Sequence, residues 1–315
     1  MATALPILTV TANPALDVST SVDRVEPEHK LRCGPTRLDP GGGGVNVSRV
    51  LRSMGGRSVA VYTAGGPTGQ AYRSLLEREG VIGRVVPIAG STRESFTVDE
   101  TTSGRQFRFV LQGPDLSELE WQALLSAVAD HLPAGGYVVG SGSLPPGTPA
   151  DLYGRIARLT AAGGGRMVVD AAGAALRAAL DAGVFLIKPS RRELGELTGV
   201  DVGDDAGLVA AARELVDAGR CTMVALSLGA QGAVLVTEDQ ALRLNSPPVR
   251  VLSTVGAGDS FLAAFVLRLA EGHPPARAFR AAVAAGSATA ALPATQVCTA
   301  EDVARLEGGL VPVAL

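Results

Sequence analysis

The chain has few of the residue types on which disulfide frameworks and metal sites depend. Only three of its 315 residues are cysteines, Cys33, Cys221 and Cys298, and no two of them form a C-x-x-C pair. Their odd number and wide spacing argue against a disulfide framework or a zinc site. The three histidines stand apart from one another, which is typical of surface or turn positions. Carboxylates, lysines, hydroxyls and glycines therefore remain as candidates for chemistry.

Charge of one sign and long apolar runs are scarce as well. The net charge is -3 and charged residues make up 19% of the chain, so no broad field suited to nucleic acid or an anionic membrane is present. No stretch approaches the roughly 20 apolar residues that span a bilayer, and Met1 to Val10 lacks a basic leader. We expect a cytoplasmic protein without nucleic-acid or membrane partners that binds anionic ligands locally.

What the chain does contain is regular alternation of short apolar runs with helical patterns. Hydrophobic residues make up 46% of it, enough for one large core and thus one enzyme-sized domain. Helical spacing is found at Asp151 to Ala162 and Asp205 to Ala218. This β-α-β order predicts a parallel sheet, with ligands gathered at the carboxyl ends of its strands. The buried strands are predicted at Tyr137 to Val139, Met167 to Val169, Phe185 to Ile187 and Thr222 to Leu226.

A different pattern covers the region before residue 112. Ser95 to Asp99 and Arg105 to Leu111 are β-rich, partly alternating runs joined by the polar turn Thr101 to Gly104. This arrangement predicts an antiparallel hairpin set off from the main sheet as a small lid. In the alternative, its apolar outer positions, Phe107 and Phe109, pack on the main body.

The strongest candidate for catalysis is the glycine-containing loop Ser253 to Ser260, which precedes an apolar helical run, Phe261 to Ala270. Small residues allow backbone amides to converge on an anion at the positive end of a helix. Asp259, placed beside those amides, can accept a proton from an attacking hydroxyl. Taken alone, the pattern fits equally an aspartate that caps the helix.

A second glycine cluster, Gly41 to Gly44, is followed by Asn46 and the helical segment Val47 to Met54. Four glycines leave one spot free of side chains, as a closely approached ligand requires, and Asn46 offers a donor and an acceptor to a polyol. A flexible hinge is the alternative. Neither cluster has the Gly-Lys-Ser/Thr of a Walker A loop or completes a dinucleotide-binding fingerprint.

Taken together and in chain order, these segments resemble the ribokinase-like sugar kinases, specifically the phosphofructokinase B branch, from about Ile7 to nearly the end. The resemblance is carried by several spaced motifs. They are Thr11 to Asp17, Gly41 to Asn46, Ser141 to Pro145, Lys188-Pro189, Ser227 to Gly229 and Gly256 to Asp259.

The resemblance implies a three-layer α/β/α sandwich with a mainly parallel sheet and a small β lid. One domain spanning residues 1–315 is expected, with lid segments at about 12–40 and 92–112. It also implies Mg-ATP as donor and in-line attack by a sugar hydroxyl. Asp259 corresponds to the general base, and the amides of Gly256, Ala257 and Gly258 correspond to the anion hole.

On the sugar side, the resemblance assigns one set of residues to the acceptor hydroxyls and a basic set to the substrate phosphate. Arginine forks suit phosphate, although each of these bases taken singly fits an exposed surface charge. The hydroxyl set is Asp17, Gly42, Gly43 and Asn46, with Ser141 and Ser143 as additional contacts, and the basic set is Lys30, Arg32 and Arg93.

On the nucleotide side, the corresponding positions are Lys188, Ser190, Ser227, Gly229, Gly232, Thr254 and Gly256. The family's magnesium motif has Asn followed three residues later by Glu. Here Ser190 replaces the Asn, whereas Glu193 is retained, so magnesium is expected to be held through phosphates and water. A potassium site near Ser253, Val255 and residues 289–296 stays open, because Leu292-Pro293-Ala294 departs from the usual pattern.

Within the branch, Pro40 to Gly44 without an internal lysine and Lys30 to Cys33 resemble members that phosphorylate fructose 6-phosphate at its 1-hydroxyl. Fructose 1,6-bisphosphate is then the product. The alternatives are kinases of fructose 1-phosphate or tagatose 6-phosphate and, in other classes, a non-catalytic sugar-phosphate sensor or a nicotinamide oxidoreductase. The lid hairpin, with its apolar outer positions, predicts a homodimer.

Overall fold

The computed structural model describes residues 4–200 and 202–315. The strands in this part of the chain are β1 (Ile7–Thr11), β2 (Ala15–Val22), β3 (Arg37–Gly41), β4 (Val59–Ala64), β5 (Ile82–Pro87), β6 (Arg93–Glu100), β7 (Gln106–Val110), β8 (Tyr137–Ser141), β9 (Arg166–Asp170), β10 (Val184–Ile187), β11 (Cys221–Ser227), β12 (Ala233–Thr237), β13 (Ala241–Leu244) and β14 (Val313–Ala314). The helices are α1 (Gly43–Ser53), α2 (Gly66–Arg78), α3 (Glu118–Asp130), α4 (Leu152–Ala162), α5 (Gly173–Asp181), α6 (Arg191–Thr198), α7 (Asp205–Asp217), α8 (Ala257–Ala270), α9 (Pro275–Ala290) and α10 (Ala300–Glu307).

The main sheet has the order β14-β13-β12-β11-β10-β9-β8-β1-β4-β5 within the described residues. Neighbours from β11 to β5 pair in parallel, and β12, β13 and β14 continue the sheet in antiparallel pairing. The predicted β-α-β series after residue 135 is therefore confirmed. Because the parallel strands share one direction, the carboxyl ends of β1, β8, β9 and β10 lie along one edge.

Helices cover both faces of this sheet and give the predicted three-layer α/β/α sandwich. One buried cluster joins a face of the sheet to α1, α8, α9 and α10, through residues such as Phe265 and Phe279. A second cluster joins the opposite face to α3, α4, α5, α6 and α7, through residues such as Tyr153 and Leu208. Central parallel strands are buried on both faces, which is why they appear in the sequence as unbroken apolar runs.

A second, smaller sheet has the order β3-β2-β6-β7, and it contains the predicted hairpin, β6 and β7. The pairing of β2 with β6 is parallel, and the other two pairings are antiparallel. Since β2 begins shortly after β1 ends and β3 runs into α1, this lid sheet adjoins the carboxyl end of β1.

The two faces of the lid sheet differ in character. Strand register places Leu38, Val18, Phe96 and Phe109 in one cross-strand row, whereas Asp17, Asp39 and Ser95 form the next row on the opposite face. Phe109 is 53% exposed and Leu38 44% exposed, so the main body does not cover the apolar row at these positions. The alternative in which Phe109 packs on the body is thus not what the structure shows.

Two helices begin earlier than their apolar patterns predict. Helix α1 begins at Gly43 instead of Val47, and α8 begins at Ala257 instead of Phe261. Each extra first turn begins with small residues of a glycine cluster, which carry no apolar side chain. The first amides of such a turn have no acceptor within the helix. Among the described residues, no helix is long and apolar enough to cross a membrane.

Candidate active site

Asp259 lies in the first turn of α8 and is held by a residue from a distant part of the chain. The side-chain amide of Asn46, on α1, donates to Asp259 Oδ2 over 2.9 Å. Gly256 precedes the helix with a φ of 75°, a left-handed conformation that favours glycine. No side chain caps this helix, so the reading of Asp259 as a helix cap is wrong.

The backbone beside Asp259 offers donors to an anion. Within the described residues, the amides of Gly256, Gly258 and Asp259 have no protein acceptor, whereas Ala257 makes a long bond of 3.4 Å to the Thr254 carbonyl. A side chain on Gly258 would begin only 3.3 Å from Lys188 Nζ. The ammonium group therefore stands against the N-terminus of α8, and together they form a positively polarised site.

Asp170 completes this group, although the sequence interpretation assigned it no role. Its carboxylate lies 3.2 Å from Lys188 Nζ and accepts a 3.5 Å hydrogen bond from Ser141 Oγ. A signal for it was available, because it directly follows the apolar run Met167 to Val169 and ends β9 at the ligand-binding edge.

Ser141, predicted to contact the substrate, is instead engaged within the protein. It is fully buried, and its hydroxyl faces Asp170. A Cβ on Gly43 would overlap the Ser141 hydroxyl and lie 2.8 Å from its carbonyl carbon. The glycine cluster thus allows α1 to approach the end of β8 closely, and it is not a flexible hinge.

Burial controls the protonation of the central carboxylate. Burial raises the pKa of Asp259 to about 6, and the negative charge of Asp170 acts in the same direction. The hydrogen bond from Asn46 and the positive charges of Lys188 and Arg49 act to lower the pKa. Burial alone would lower the pKa of Lys188, but Asp170 raises it above its ordinary value. At neutral pH, Asp259 is therefore mostly ionised yet close enough to its pKa to exchange a proton efficiently.

The sugar-side residues lie on the polar face of the lid sheet. Asp17 is half-buried, and burial raises its pKa to about 6 against the opposing charges of Arg49 and Arg93. A Cβ on Gly41 would overlap the Asp17 carboxylate, so the missing side chain leaves that carboxylate room. Gly42, directly before the first residue of α1, lies nearby and has a φ of 115°.

Arg93 is anchored beside an open cleft of about 670 Å³. Its guanidinium donates to the backbone carbonyls of Leu111 and Asn13 over 2.9 and 3.1 Å. Asn13 in turn donates to Ser143 Oγ over 3.1 Å, and all three side chains line the cleft. The role of Asn13 was missed, although the residue belongs to the first motif by which the family resemblance was identified.

Lys30 and Arg32 are not brought to this site by the single chain. Both are exposed on the loop between β2 and β3, at the end of the lid sheet away from Asp17. The Gly34 amide donates to the Ser21 carbonyl, which closes the loop beyond the end of β2. Their predicted joint action with Arg93 on one phosphate therefore does not occur within one protomer.

A second cleft, of about 540 Å³, lies at the N-terminus of α8. Four of the predicted nucleotide positions line it, and its remaining walls are largely apolar, as an adenine ring requires. The predicted lining residues are Ser227, Gly229, Gly232 and Thr254, joined by Ala257, Gly258, Phe261 and Val283. Gly258 lines this cleft, and the next residue, Asp259, bonds to Asn46 on α1.

Ser190 and Glu193 form a capping box at the start of α6. Glu193 Oε2 accepts from the Ser190 amide and hydroxyl, each over 2.8 Å, and the Glu193 amide donates back to Ser190 Oγ. Ser190 thus caps the helix, which its sequence assignment to the nucleotide site did not predict.

In the described part of the chain, no three acidic, histidine or cysteine residues cluster as a metal cage. Glu193 as the single nearby carboxylate of this motif fits a magnesium ion that is held through phosphates and water.

The residues suggested for potassium lie on one connected segment. The amides of Leu252 and Ser253 donate to the Ala290 carbonyl, and the Val255 amide donates to Ser253 Oγ. Ala294 has a φ of 53°, which is uncommon for a residue other than glycine, so this loop has a constrained course.

A carboxylate beside the free amides of a helix N-terminus, a lysine and a nucleotide-sized cleft is the arrangement that a phosphoryl-transfer protein requires. The chain belongs to the pfkB family of carbohydrate kinases, whose family model matches residues 11–302. A solved ribokinase from Arabidopsis thaliana has the same fold, with a TM-score of 0.76 at 18% identity, covering 97% of this chain and 99% of its own.

More similar proteins are found among the phosphofructokinases. The ATP-dependent 6-phosphofructokinase isozyme 2 of Mycobacterium tuberculosis is 45% identical over 95% of this chain and 88% of its own length. A 1-phosphofructokinase of Xanthomonas campestris is 36% identical over 84% of each chain. Phosphofructokinase-2 of Escherichia coli, solved in complex with fructose-6-phosphate, superposes with a TM-score of 0.92 at 37% identity, covering 96% of this chain and 98% of its own. The same enzyme in complex with potassium gives 0.93 at 38% identity with the same coverage.

Proposed function

We propose that this protein is an ATP-dependent 6-phosphofructokinase, which transfers the γ-phosphoryl group of ATP to the 1-hydroxyl of fructose 6-phosphate. The observation that carries the proposal is the position of Asp259. It lies between Asn46 on the sugar side and the free amides of the α8 N-terminus on the nucleotide side. A sugar hydroxyl held beside Asn46 and a phosphoryl group held at these amides would meet at this carboxylate.

In the proposed reaction, Asp259 accepts the proton of the 1-hydroxyl as its oxygen bonds to the γ-phosphorus. The bond from that phosphorus to the β,γ-bridging oxygen breaks, and ADP leaves with the electron pair. The amides of Gly256 and Gly258 and the ammonium of Lys188 stabilise the charge on the transferring group. Glu193 would hold a magnesium ion through water, and the ion would supply charge neutralisation at the phosphates.

The substrate is oriented by the lid face and by α1. Asp17 and Asn46 bind sugar hydroxyls, and Arg93 and Ser143 face the cleft that takes the substrate phosphate. The half-buried position of the Asp17 carboxylate, near the positive charges of Arg49 and Arg93, supports its assignment. The apolar walls of the second cleft support the assignment of Ser227, Gly229, Gly232 and Thr254 to the nucleotide.

Fructose 6-phosphate is preferred because the 45% identical relative is named for that activity and because Pro40 to Gly44 contains no lysine. The 36% identical 1-phosphofructokinase makes fructose 1-phosphate the second candidate. Initial rates with fructose 6-phosphate, fructose 1-phosphate and tagatose 6-phosphate test the choice. We expect kcat/KM to be highest for fructose 6-phosphate, by about tenfold or more. A higher value for either other sugar would overturn the substrate, and failure to transfer phosphate to any of them would overturn the function.

We further propose a potassium ion near Ser253, Val255 and residues 289–296. The constrained loop at Ala294 and the potassium complex of the Escherichia coli relative support it. Replacement of potassium by sodium at constant ionic strength should lower kcat, and an unchanged kcat would contradict the site. A cytoplasmic location stays a prediction.

Pairing of two chains through the apolar face of the lid sheet is also proposed. The exposed row of Leu38 and Phe109, continued by Val18 and Phe96, supports it. Lys30 and Arg32 remain predicted ligands of the substrate phosphate. To reach that phosphate they would need a lid arrangement that the single chain does not provide.

A further inference from the structure

A buried arginine stands directly behind the pair formed by Asn46 and Asp259. Arg49 lies one helical turn after Asn46 on α1 and is 5% exposed. An arginine this deeply buried is stable only when its donors are matched by acceptors and its charge by carboxylates. Its contacts therefore indicate what fixes it in place.

The Arg49 guanidinium is held from two sides. Its Nε and Nη2 atoms donate to the two carboxylate oxygens of Glu79, over 2.6 and 2.8 Å, in a bidentate pair. Asp39, on lid strand β3, lies 3.8 Å from Nη2. Asp39 is itself fixed, because it accepts a forked pair of bonds from Arg37 and a 2.5 Å bond from Thr295.

The remaining donor of Arg49 points at the active site. Nη1 donates over 3.3 Å to Asn46 Oδ1, the carbonyl oxygen of the amide whose nitrogen bonds to Asp259. An asparagine amide has one acceptor side and one donor side. With its oxygen turned to the guanidinium, which can only donate, Asn46 must present its NH₂ group to the catalytic carboxylate.

We propose that Arg49, anchored by Glu79, is a positioning residue that fixes the orientation of the Asn46 amide toward Asp259. This role rests on the proposed kinase function. If the amide were flipped, its oxygen would face the Asp259 carboxylate, and two acceptors would repel. Arg49 touches no substrate in this arrangement and acts through Asn46.

The electrostatic surroundings are consistent with that role. The charged groups that affect Asp259 are Asp170 at the end of β9, Lys188 after β10 and Arg49 on α1. The hydrogen bond from Asn46 lowers the pKa of Asp259 against burial and Asp170. For Arg49, burial acts to lower its pKa, but the hydrogen bonds and charge of Glu79, with the charge of Asp39, raise it. The guanidinium is therefore a permanent cation.

Arg49→Lys tests the proposal, because lysine keeps the charge but lacks the planar fork that spans Glu79 and Asn46. We expect kcat with fructose 6-phosphate to fall by about tenfold or more, with KM for ATP changed by less than about twofold. Glu79→Gln should lower kcat in the same direction, and because Glu79 is part-exposed this variant serves if Arg49→Lys does not fold. Arg268→Lys is the matched control: its guanidinium pairs with Glu271 over 2.7 Å at the other end of α8, and its kcat should not change.

A double-mutant cycle separates positioning from general destabilisation. In an Asn46→Ala background, Arg49→Lys should lower kcat by less than about twofold, since the amide through which it acts is gone. An equal loss in both backgrounds, or a loss no larger than that of Arg268→Lys, would overturn the proposal.

A measurement independent of turnover distinguishes this inference from the proposed function. The carboxyl ¹³C signal of Asp259, assigned with Asp259→Asn, should titrate at higher pH in Arg49→Lys than in the parent chain. If the parent chain lacked kinase activity but the titration shifted, the function would fail and the positioning role would stand. An unshifted titration would refute the positioning role whatever the activity.

Discussion

At the scale of single residues, the proposed role of Asp259 as catalytic base imposes two opposing demands. A base that takes a proton from a hydroxyl must be ionised, whereas a site for phosphoryl transfer must exclude water and so disfavours the charge. The structure reconciles these demands with one hydrogen bond from Asn46 and with the nearby cations Lys188 and Arg49, which leave the pKa at about 6. The sequence could indicate Asp259 but not this balance, because Asn46 and Asp170 come from distant segments.

The raised pKa of Asp259 has a consequence for stability. The pKa is raised from 3.8 to about 6, so the folded state binds this proton more tightly than the unfolded chain does, and stability is lost as pH rises through about 6. Asp259→Asn removes that penalty. It should raise the free energy of unfolding by about 1–3 kcal/mol at pH 8, with the gain vanishing below about pH 4.

Urea denaturation at several pH values measures this effect. Asp302→Asn is the control with the opposite sign, because hydrogen bonds from Thr299 lower the pKa of Asp302. Asp302→Asn should lower the free energy of unfolding at pH 8 but should have no such effect at low pH. A gain for Asp259→Asn that was the same at pH 8 and pH 4 would contradict the electrostatic explanation.

At the scale of elements, helix α6 shows how one substitution is absorbed. Where the family pattern has Asn, Ser190 caps α6 through Glu193. Asn is an equally good N-cap, so Ser190→Asn should change stability by less than about 0.5 kcal/mol. Its amide oxygen reaches farther than a serine hydroxyl, and we expect the magnesium concentration for half-maximal activity to fall.

The control for this variant is Ser117→Asn, in the matching capping box of α3 with Glu120. It should leave both stability and magnesium dependence unchanged. A magnesium requirement that Ser190→Asn did not alter would show that position 190 plays no part in holding the metal.

Much of the element order could be predicted from the sequence, and the reasons are physical. Strands such as β8 and β9 are buried on both faces, so their apolar runs were unmistakable. The starts of α1 and α8 were placed too late because glycine hides a helical turn from any apolar pattern. The candidate site residues are indicated by their motifs, but Arg49 on α1 and Glu79 at the end of α2, which pair with each other, carry no local signal.

At the scale of the whole molecule, the lid sheet is amphipathic, with a polar face toward the site and an apolar row outside. We expect Phe109→Glu to convert a dimer into monomers and to lower activity, because a charge on a buried apolar interface is costly. Leu119→Glu, at a position on α3 that is 78% exposed, is the control and should leave the assembly intact. Sedimentation velocity measures both. A parent chain that was monomeric, or a Phe109→Glu variant that stayed dimeric, would rule out this surface.

The most direct test of the central claim is the turnover of Asp259→Asn with ATP and fructose 6-phosphate at pH 8. If Asp259 is the catalytic base, kcat should fall by about 10²- to 10⁴-fold, while the Kd values of both substrates stay within about threefold of the parent. A variant that kept kcat within about tenfold of the parent would contradict the assignment.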